Sequence, residues 1–273
     1  MTLDEIIRAS LNEDLGSGDI TTAYLDLEPL SSIAFMVAKA EGVIAGTEVA
    51  RQVFWTIDPE LKITLYRKDG DNVKPKDEIM RLEGRPEAIL MAERTALNFL
   101  QRLSGIATKT ARLVSMIEGT GAKLLDTRKT TPMLRMLEKY AVRIGGGYNH
   151  RFGLFDMVLL KENHIRACGG ISKAVERVKA HNTSYKVEVE VTNPEELEEA
   201  YQAGADRIML DNMTPPQIKA AIKKYRHKVE FEVSGGINEQ NILAYAKTGV
   251  QYISSGALTH SVQALDISLL FKE

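Results

Sequence analysis

The sequence predicts an α/β protein in which a small α+β unit precedes a barrel of parallel strands joined by helices. Three observations predict it: strand patterns broken by glycine and proline, a long helical pattern after them, and a repeat of strand, turn and helix beyond residue 105. We place the domains at 1–104 and 105–273 and expect the C-terminal tail to pack back on the first domain.

The first unit is predicted to begin with a helix, because Thr2 and Glu5 have the spacing of a capping box. Pro86 starts a long helix with an apolar stripe, which we expect to end at Gly105. Strand patterns occupy 33–39, 62–66 and 79–82, with a helical piece near 47–57.

In the second unit, short apolar runs are each followed by turn residues and a helical pattern. Successive run ends from Lys161 to Gly256 are 29, 21, 23 and 22 residues apart, which fits one strand plus one helix. Because no Gly-x-Gly-x-x-Gly fingerprint follows the first run, a barrel is favoured over an open dinucleotide-binding sheet. The runs are 124–126, 141–144, 157–161, 187–191, 208–211, 229–234 and 252–255. Three turns carry a polar residue before proline, which predicts a helix start at 131–132, 193–194 and 214–215.

Two of the runs, 187–191 and 229–233, alternate glutamate with apolar residues. In a barrel the apolar side chains would face the helices and the glutamates the lumen, but a solvent-exposed edge strand shows the same alternation. Carboxylates in a lumen would need hydrogen bonds, cations or a metal, because burying an unpaired charge is costly.

Composition excludes several classes of protein. With 35 Lys and Arg against 37 Asp and Glu, the net charge of −2 offers no basic surface for nucleic acid, and we expect no nucleic-acid partner. Cys168 is the single cysteine, so no intrachain disulfide can form. No apolar stretch is long enough to span a bilayer or to act as a secretory signal, so we expect a cytoplasmic protein without membrane contact.

Positive charge gathers between Asp126 and His164, where seven Lys or Arg stand against four acids. Active sites of βα barrels lie at the carboxyl ends of the strands. A charged residue there would ordinarily just end its strand in solvent, but seven candidates coincide: Arg128, Lys129, Lys161, Glu190, Asp211, Ser234 and Gly256.

The chemistry of these residues indicates a polyanionic ligand. Arg128 and Arg151 suit carboxylates, because guanidinium groups bind them through two hydrogen bonds. Ser234-Gly235-Gly236, before a helix expected near Asn238, would let amide groups approach a phosphate. Glu190 and Asp211 would repel a phosphate unless Mg²⁺ or sugar hydroxyls lay between, which favours a sugar phosphate with a metal.

Several segments of the sequence share the motifs of a known family. They are Glu93-Arg94-Thr95-Ala96-Leu97-Asn98, Leu103-Ser104-Gly105-Ile106-Ala107-Thr108, Asp126-Thr127-Arg128-Lys129-Thr130-Thr131-Pro132, Glu138-Lys139-Tyr140-Ala141-Val142, Gly145-Gly146-Gly147, Asn149-His150-Arg151, Lys161-Glu162-Asn163-His164 and Asp211-Asn212. With these segments the chain closely resembles the quinolinate phosphoribosyltransferase family. The resemblance extends over most of the chain, with Met133 standing where we expect glycine.

The resemblance implies an N-terminal open-faced α/β sandwich, a C-terminal α/β barrel, and a homodimer or larger oligomer whose subunits share the active site. It also implies that phosphoribosyl pyrophosphate (PRPP) reacts with quinolinate in the presence of Mg²⁺ to give nicotinate mononucleotide, pyrophosphate and CO2. The residues implied are Arg128, His150, Arg151 and Lys161 for the quinolinate carboxylates, with Thr127 beside them and Arg94 from the neighbouring subunit; Lys129 for pyrophosphate; Glu190 and Asp211 for ribose or Mg²⁺; and Ser234, Gly235, Gly236, Ser255 and Gly256 for a phosphate. Lys161, Glu190 and Asp211 are the expected catalytic residues.

Two alternatives remain at this stage. A lysine that ends a barrel strand, as Lys161 is expected to do, is also how Schiff-base lyases present their amine. A relative of the same fold associated with molybdenum transport would keep the phosphate loop without the quinolinate clamp.

Overall fold

The protein is described by a computed structural model that covers residues 2–25, 27, 31–181, 184–225 and 228–272. The helices are α1 (Leu3–Leu15), α2 (Ile20–Tyr24), α3 (Thr47–Ile57), α4 (Pro86–Met116), α5 (Arg135–Ile144), α6 (Glu162–Cys168), α7 (Ile171–Ala180), α8 (Pro194–Gln202), α9 (Pro215–Tyr225), α10 (Ile242–Ala246) and α11 (Ala257–His260). The strands are β1 (Ser32–Ala38), β2 (Gly42–Val43), β3 (Lys62–Leu65), β4 (Asn72–Val73), β5 (Glu78–Gly84), β6 (Lys123–Leu125), β7 (Val158–Leu160), β8 (Val187–Val191), β9 (Arg207–Asp211), β10 (Glu230–Ser234), β11 (Tyr252–Ser254) and β12 (Ile267–Phe271).

The described residues form two compact units that are discontinuous in sequence. Unit one contains those up to Ala111, Thr131–Gly146 and those from Val262 onward, and unit two contains Arg112–Thr130 and the described residues of 147–261. The boundary predicted between residues 104 and 105 falls inside α4 and stays a prediction.

Unit one is built on an antiparallel sheet in the order β12-β1-β5-β3, with β2 and β4 as a separate pair. The C-terminal strand β12 pairs with β1, so the tail belongs to this unit. The capping box at Thr2 and Glu5 is confirmed at the start of α1. The sheet and helices enclose side chains such as Ile7, Phe54 and Leu82, which have no exposed surface.

Two predictions for this unit are wrong. Helix α4 does not end at Gly105 but continues to Met116. Glycine stands there because the chain passes close by: a Cβ on residue 105 would lie 2.2 Å from the carbonyl oxygen of Gln263. The run 141–144 is not a strand but the end of α5, whose buried Leu137, Ala141 and Val142 follow helical spacing.

Unit two contains a parallel sheet in the order β6-β11-β10-β9-β8-β7, with helices between successive strands. The predicted α/β fold class is therefore confirmed, with an N-terminal sheet domain and a C-terminal parallel-sheet domain. The two alternating strands β8 and β10 are both interior strands of the sheet, which excludes the edge-strand interpretation. Glu188 and Glu232 have no exposed surface and both contact His150, so the glutamates of the alternating strands lie on a buried face of the sheet.

The predicted helix starts have mixed outcomes. Asn193 caps α8 and α9 begins at Pro215, as predicted. The Thr131-Pro132 prediction is wrong, because α5 begins only at Arg135 after a turn in which Met133 has a φ of +68°. Such left-handed backbone favours glycine, which agrees with the expectation at this position. The helix expected near Asn238 begins at Ile242, because Asn238 and Asn241 form a side-chain-bonded turn first.

No helix in the described part of the chain is long and apolar enough to cross a membrane.

Candidate active site

The carboxyl ends of the unit-two strands surround an open cavity of about 910 Å³. Among the described residues, every predicted site residue except Arg94 lines it: Thr127, Arg128, Lys129, His150, Arg151, Lys161, Glu190, Asp211, Ser234, Gly235, Gly236, Ser255 and Gly256. Arg94 lies on α4 in unit one, where its side chain is exposed.

Strand pairing explains why residues so far apart in sequence meet here. Parallel strands place their carboxyl ends at one edge, and β9 pairs with β10 so that Asp211 lies opposite Ser234. Glu190, two residues after Glu188 on β8, projects to the same face.

Further lining residues had not been predicted as site residues. Glu232 could have been found from the alternation in β10, and Asn212 from its position directly after Asp211. Side chains such as Met209 and His260 gave no sequence signal. The additional residues are Leu159, Met209, Asn212, Glu232, Ile237, Asn238, Ser254, Ala257 and His260.

One wall of the cavity carries two arginines. The side chain of Arg151 is buried, and its Nη1 donates to the carbonyl of Met157 at 3.3 Å. Burial and the charge of Arg128 lower the pKa of Arg151. The Nε of Arg128 is itself buried with no hydrogen-bond partner among the described residues. Two neighbouring guanidinium groups, that of Arg151 buried and that of Arg128 partly so, suit an anion such as a carboxylate.

The facing strand ends carry two acids and a lysine. The Nζ of Lys161 lies 3.3 Å from Oε2 of Glu190. Burial and the charge of Glu190 raise the pKa of Asp211, and the Nδ2 of Asn212 donates to Asp211 at 2.7 Å. Because the charge of Glu190 disfavours the charged form of Asp211, this side of the cavity suits a cation or several hydroxyl donors.

Asparagine side chains stabilise the loop after β10 through hydrogen bonds to its backbone. The Nδ2 atoms of Asn238 and Asn241 donate to the carbonyl of Gly236 at 3.1 and 2.9 Å. Gly235 has a φ of +101°, and a Cβ there would lie 2.1 Å from Oδ1 of Asn212, so only glycine fits. Ser255 joins β11 to this loop, since its hydroxyl donates to the carbonyl of Ile237 at 3.2 Å.

A buried polar layer lies at the base of the cavity. The Nε2 of His150 is 3.0 Å from Oε2 of Glu188 and 3.4 Å from Oε2 of Glu232. Burial opposes a charged imidazole, yet the two carboxylates raise the pKa of His150 to about 9. Burial raises the pKa of Glu188, whereas for Glu232 the bond to His150 overcomes burial and lowers the pKa.

Two family models together match nearly the whole chain. The N-terminal domain of quinolinate phosphoribosyl transferase matches residues 19–104, and its C-terminal domain matches residues 106–270. The chain belongs to the quinolinate phosphoribosyl transferase family.

Other members of the quinolinate phosphoribosyl transferase family are similar over nearly the whole of this chain. The probable nicotinate-nucleotide pyrophosphorylase (carboxylating) of Bacillus subtilis strain 168 is 45% identical over 270 residues, with 98% of this chain and 93% of the relative covered. A mitochondrial quinolinate phosphoribosyltransferase (decarboxylating) of Nicotiana tabacum is 43% identical, with 98% and 81% covered. The solved nicotinate-nucleotide pyrophosphorylase of Francisella tularensis has a TM-score of 0.95 at 46% identity, covering 100% of this chain and 98% of that one.

Proposed function

We propose that the protein transfers the phosphoribosyl group of PRPP to quinolinate with loss of CO2, giving nicotinate mononucleotide and pyrophosphate. The observation that carries this proposal is a single cavity with an arginine pair on one wall, a carboxylate pair on another and a glycine loop beside them. This combination matches two anionic reactants, one with adjacent carboxylates and one with a ribose and phosphates.

Arg128, His150, Arg151 and Lys161 hold the quinolinate carboxylates in this proposal. The guanidinium groups provide paired donors, and the buried position of Arg151 strengthens its attraction to an anion. Lys129 faces the pyrophosphate, and the loop at Gly235, together with Ser255 and Gly256, surrounds the phosphate on the ribose.

Glu190 and Asp211 fit a Mg²⁺ ion that accompanies PRPP, because carboxylate oxygens are its preferred protein ligands, and because burial and the charge of Glu190 raise the pKa of Asp211. When bound, Mg²⁺ would neutralise charge on the departing pyrophosphate. Lys161 partly offsets the charge of Glu190. The oxygens of Glu190 and Asp211 are also acceptors for the ribose hydroxyls.

The order of the two chemical steps follows from charge. Departure of pyrophosphate leaves an oxocarbenium-like ribose, so the residues mainly hold the reactants together and stabilise moving charge. Loss of the 2-carboxylate as CO2 leaves a carbanion beside the ring nitrogen, which is tolerable once that nitrogen is ribosylated and positive. Ribosylation therefore precedes decarboxylation.

The proposal includes a homodimer or larger oligomer in which Arg94 reaches the cavity of a neighbouring subunit. Two observations support this: Arg94 is exposed on α4, and it is not among the described residues that line the cavity of its own chain. We also propose a cytoplasmic location, which agrees with a single, free Cys168.

The test is release of labelled CO2 from carboxyl-labelled quinolinate with and without PRPP and Mg²⁺. We expect release only when PRPP is present, with nicotinate mononucleotide formed in equal amount. Release without PRPP would contradict the order of steps, and no release with PRPP would contradict the function. Borohydride trapping of a carbonyl substrate on Lys161 would instead support the lyase alternative.

A further inference from the structure

Two segments of the chain meet at the carboxyl edge of the sheet, where β6 and β11 end. These strands pair in parallel with Ser254 opposite Leu125, and the amide of Ser255 donates to the carbonyl of Leu125 at 3.0 Å. The loop after β6 and the segment after β11 therefore leave the sheet side by side. The first carries Lys129 and the second carries Gly256, and both residues line the cavity.

Thr259, on α11, joins these two segments. It has no exposed surface, and its hydroxyl oxygen lies 2.8 Å from the carbonyl oxygen of Lys129 and 3.3 Å from that of Gly256. A threonine in a helix ordinarily donates to a carbonyl of the preceding turn, which here is that of Gly256. The shorter contact is instead with a residue 130 positions earlier in the chain, so the hydroxyl chiefly holds the loop after β6.

The side chain of Lys129 is fitted against the same turn. A Cβ on residue 256 would lie 2.8 Å from Cδ of Lys129 and 3.0 Å from Cδ2 of His260. Gly256 has an ordinary helical φ of −67°, so what glycine supplies here is room for these side chains and not an unusual backbone conformation. The stem of Lys129 therefore passes directly over the backbone of Gly256.

Lys129 is also held through its amide, which donates to Oγ1 of Thr127 at 3.1 Å. Its N–H and its carbonyl thus each have a threonine partner, while its side chain stays exposed. Burial and Glu190 raise the pKa of Asp211, and the charge of Lys129 acts on Asp211 in the opposite direction. The backbone of Lys129 is therefore fixed, and its ammonium group lies within electrostatic range of this acid.

We propose that Thr259 is a positioning residue that fixes the backbone of Lys129 beside Gly256, so that the lysine ammonium group is placed for the pyrophosphate of PRPP. The inference rests on the proposed function for the identity of this ligand. A lysine side chain has several rotatable bonds, and ordering them opposes binding. A backbone and stem already held against Gly256 lose fewer conformations when the anion binds, which favours affinity.

The test removes the hydroxyl of Thr259 and keeps its shape. In Thr259→Val we expect the KM for PRPP, and the Kd of inorganic pyrophosphate measured by calorimetry with Mg²⁺, to rise about tenfold, because the Lys129 carbonyl loses its donor. The Kd of quinolinate without PRPP should change less than about threefold. Thr259→Ser keeps the hydroxyl and should restore both PRPP and pyrophosphate binding to within about threefold of the wild type.

Thr248→Val is the matched control. Thr248 is also buried and donates to the carbonyl of Tyr245 at 2.6 Å, but it is not among the described residues that line the cavity. We expect this variant to leave PRPP, pyrophosphate and quinolinate binding unchanged. Thr259→Ala, which also lacks the hydroxyl, replaces Thr259→Val should urea unfolding show that the valine variant folds poorly, and the same results are expected for it.

A double-mutant cycle with Lys129→Met separates positioning of Lys129 from a general loss of stability. If Thr259 acts through the ammonium group, Thr259→Val should raise the Kd of pyrophosphate less than about twofold further in a Lys129→Met background. Independent effects would instead multiply, giving the full tenfold rise in that background as well.

Four results would overturn the inference: unchanged PRPP and pyrophosphate binding in Thr259→Val, an equal loss of quinolinate binding, the same loss in Thr259→Ser, or effects that multiply in the cycle. A wild-type protein that binds neither PRPP nor pyrophosphate would instead contradict the proposed function, so the two failures are distinguishable.

Discussion

Arg128 shows how a single side chain can report the ligand of a site. Its buried Nε has no partner among the described residues, and Arg151 nearby makes the local charge strongly positive. A buried donor left without a partner is costly, so the guanidinium is prepared for an acceptor that the protein alone does not supply.

Replacing Arg128 by Lys keeps the charge but removes the paired donors. At least one charge-assisted hydrogen bond is lost, worth roughly 1.5 to 3 kcal/mol, so quinolinate binding or turnover should fall about 10- to 100-fold. Steady-state kinetics at saturating PRPP measures this. If Arg128→Lys behaves like the wild type, Arg128 does not grip a carboxylate.

Asp211 belongs to the other reactant. Burial and the charge of Glu190 raise the pKa of Asp211. A bound cation or hydroxyl donors would stabilise the charged form of this carboxylate. Asp211→Ala should raise the KM for PRPP about tenfold or more, because an interaction with a charged partner is lost. The Kd of quinolinate in the absence of PRPP, measured by calorimetry, should stay within about twofold of the wild-type value. Loss of quinolinate affinity instead would contradict this division of roles.

At the scale of elements, α4 shows how packing overrides local preference. Glycine is a poor residue for a helix interior, yet Gly105 lies within a 31-residue helix. Gly105→Ala should gain helix propensity of about 1 kcal/mol but place a Cβ against the Gln263 carbonyl, so we expect net destabilisation of about 2 kcal/mol or more.

Urea unfolding of Gly105→Ala measures this change. Ser115→Ala in the same helix is the control, because Ser115 is exposed and should show only the small propensity gain. A Gly105→Ala variant as stable as Ser115→Ala would mean that the close approach to Gln263 does not constrain the helix.

These elements also explain which parts of the fold the sequence could predict. The strands from 187 onward were predicted closely, because their apolar runs are short, bounded by turns and regularly spaced. The strand prediction for 141–144 is wrong because a run of four apolar-rich residues is too short to distinguish a strand from a helix. The predicted end of α4 is wrong because glycine at 105 is required by the close approach of Gln263 and does not end the helix. A contact between residues so far apart in sequence leaves no local pattern.

At the scale of the whole molecule, chain order and spatial grouping differ. Thr131–Gly146 lies between β6 and β7 in sequence but belongs to unit one, where the fully buried Glu138 accepts from Arg102 at 2.6 Å. Thirteen of the described residues that line the candidate cavity were predictable, because parallel strands bring their carboxyl ends together whatever their separation in sequence. Nine further lining residues were not predicted, and one of them, His260, belongs to a short helix after the last strand of the sheet.

Arg94 is the one predicted site residue that this convergence does not explain. It is exposed on α4 in unit one, whereas the described residues that line the cavity belong to unit two. If Arg94 works in the cavity of a neighbouring subunit, two variants that are each inactive should restore activity when their subunits are mixed.

Arg94→Ala and Lys161→Ala make this test decisive, because a mixed dimer has one cavity with Lys161 from the first chain and Arg94 from the second. Random pairing makes about half of the dimers mixed, each with one intact site of two, so activity should recover to roughly a quarter of the wild type. Subunit exchange is verified by native mass spectrometry of differently labelled chains before the assay. Activity that stays at the level of the separate variants after verified exchange would place Arg94 outside a shared site.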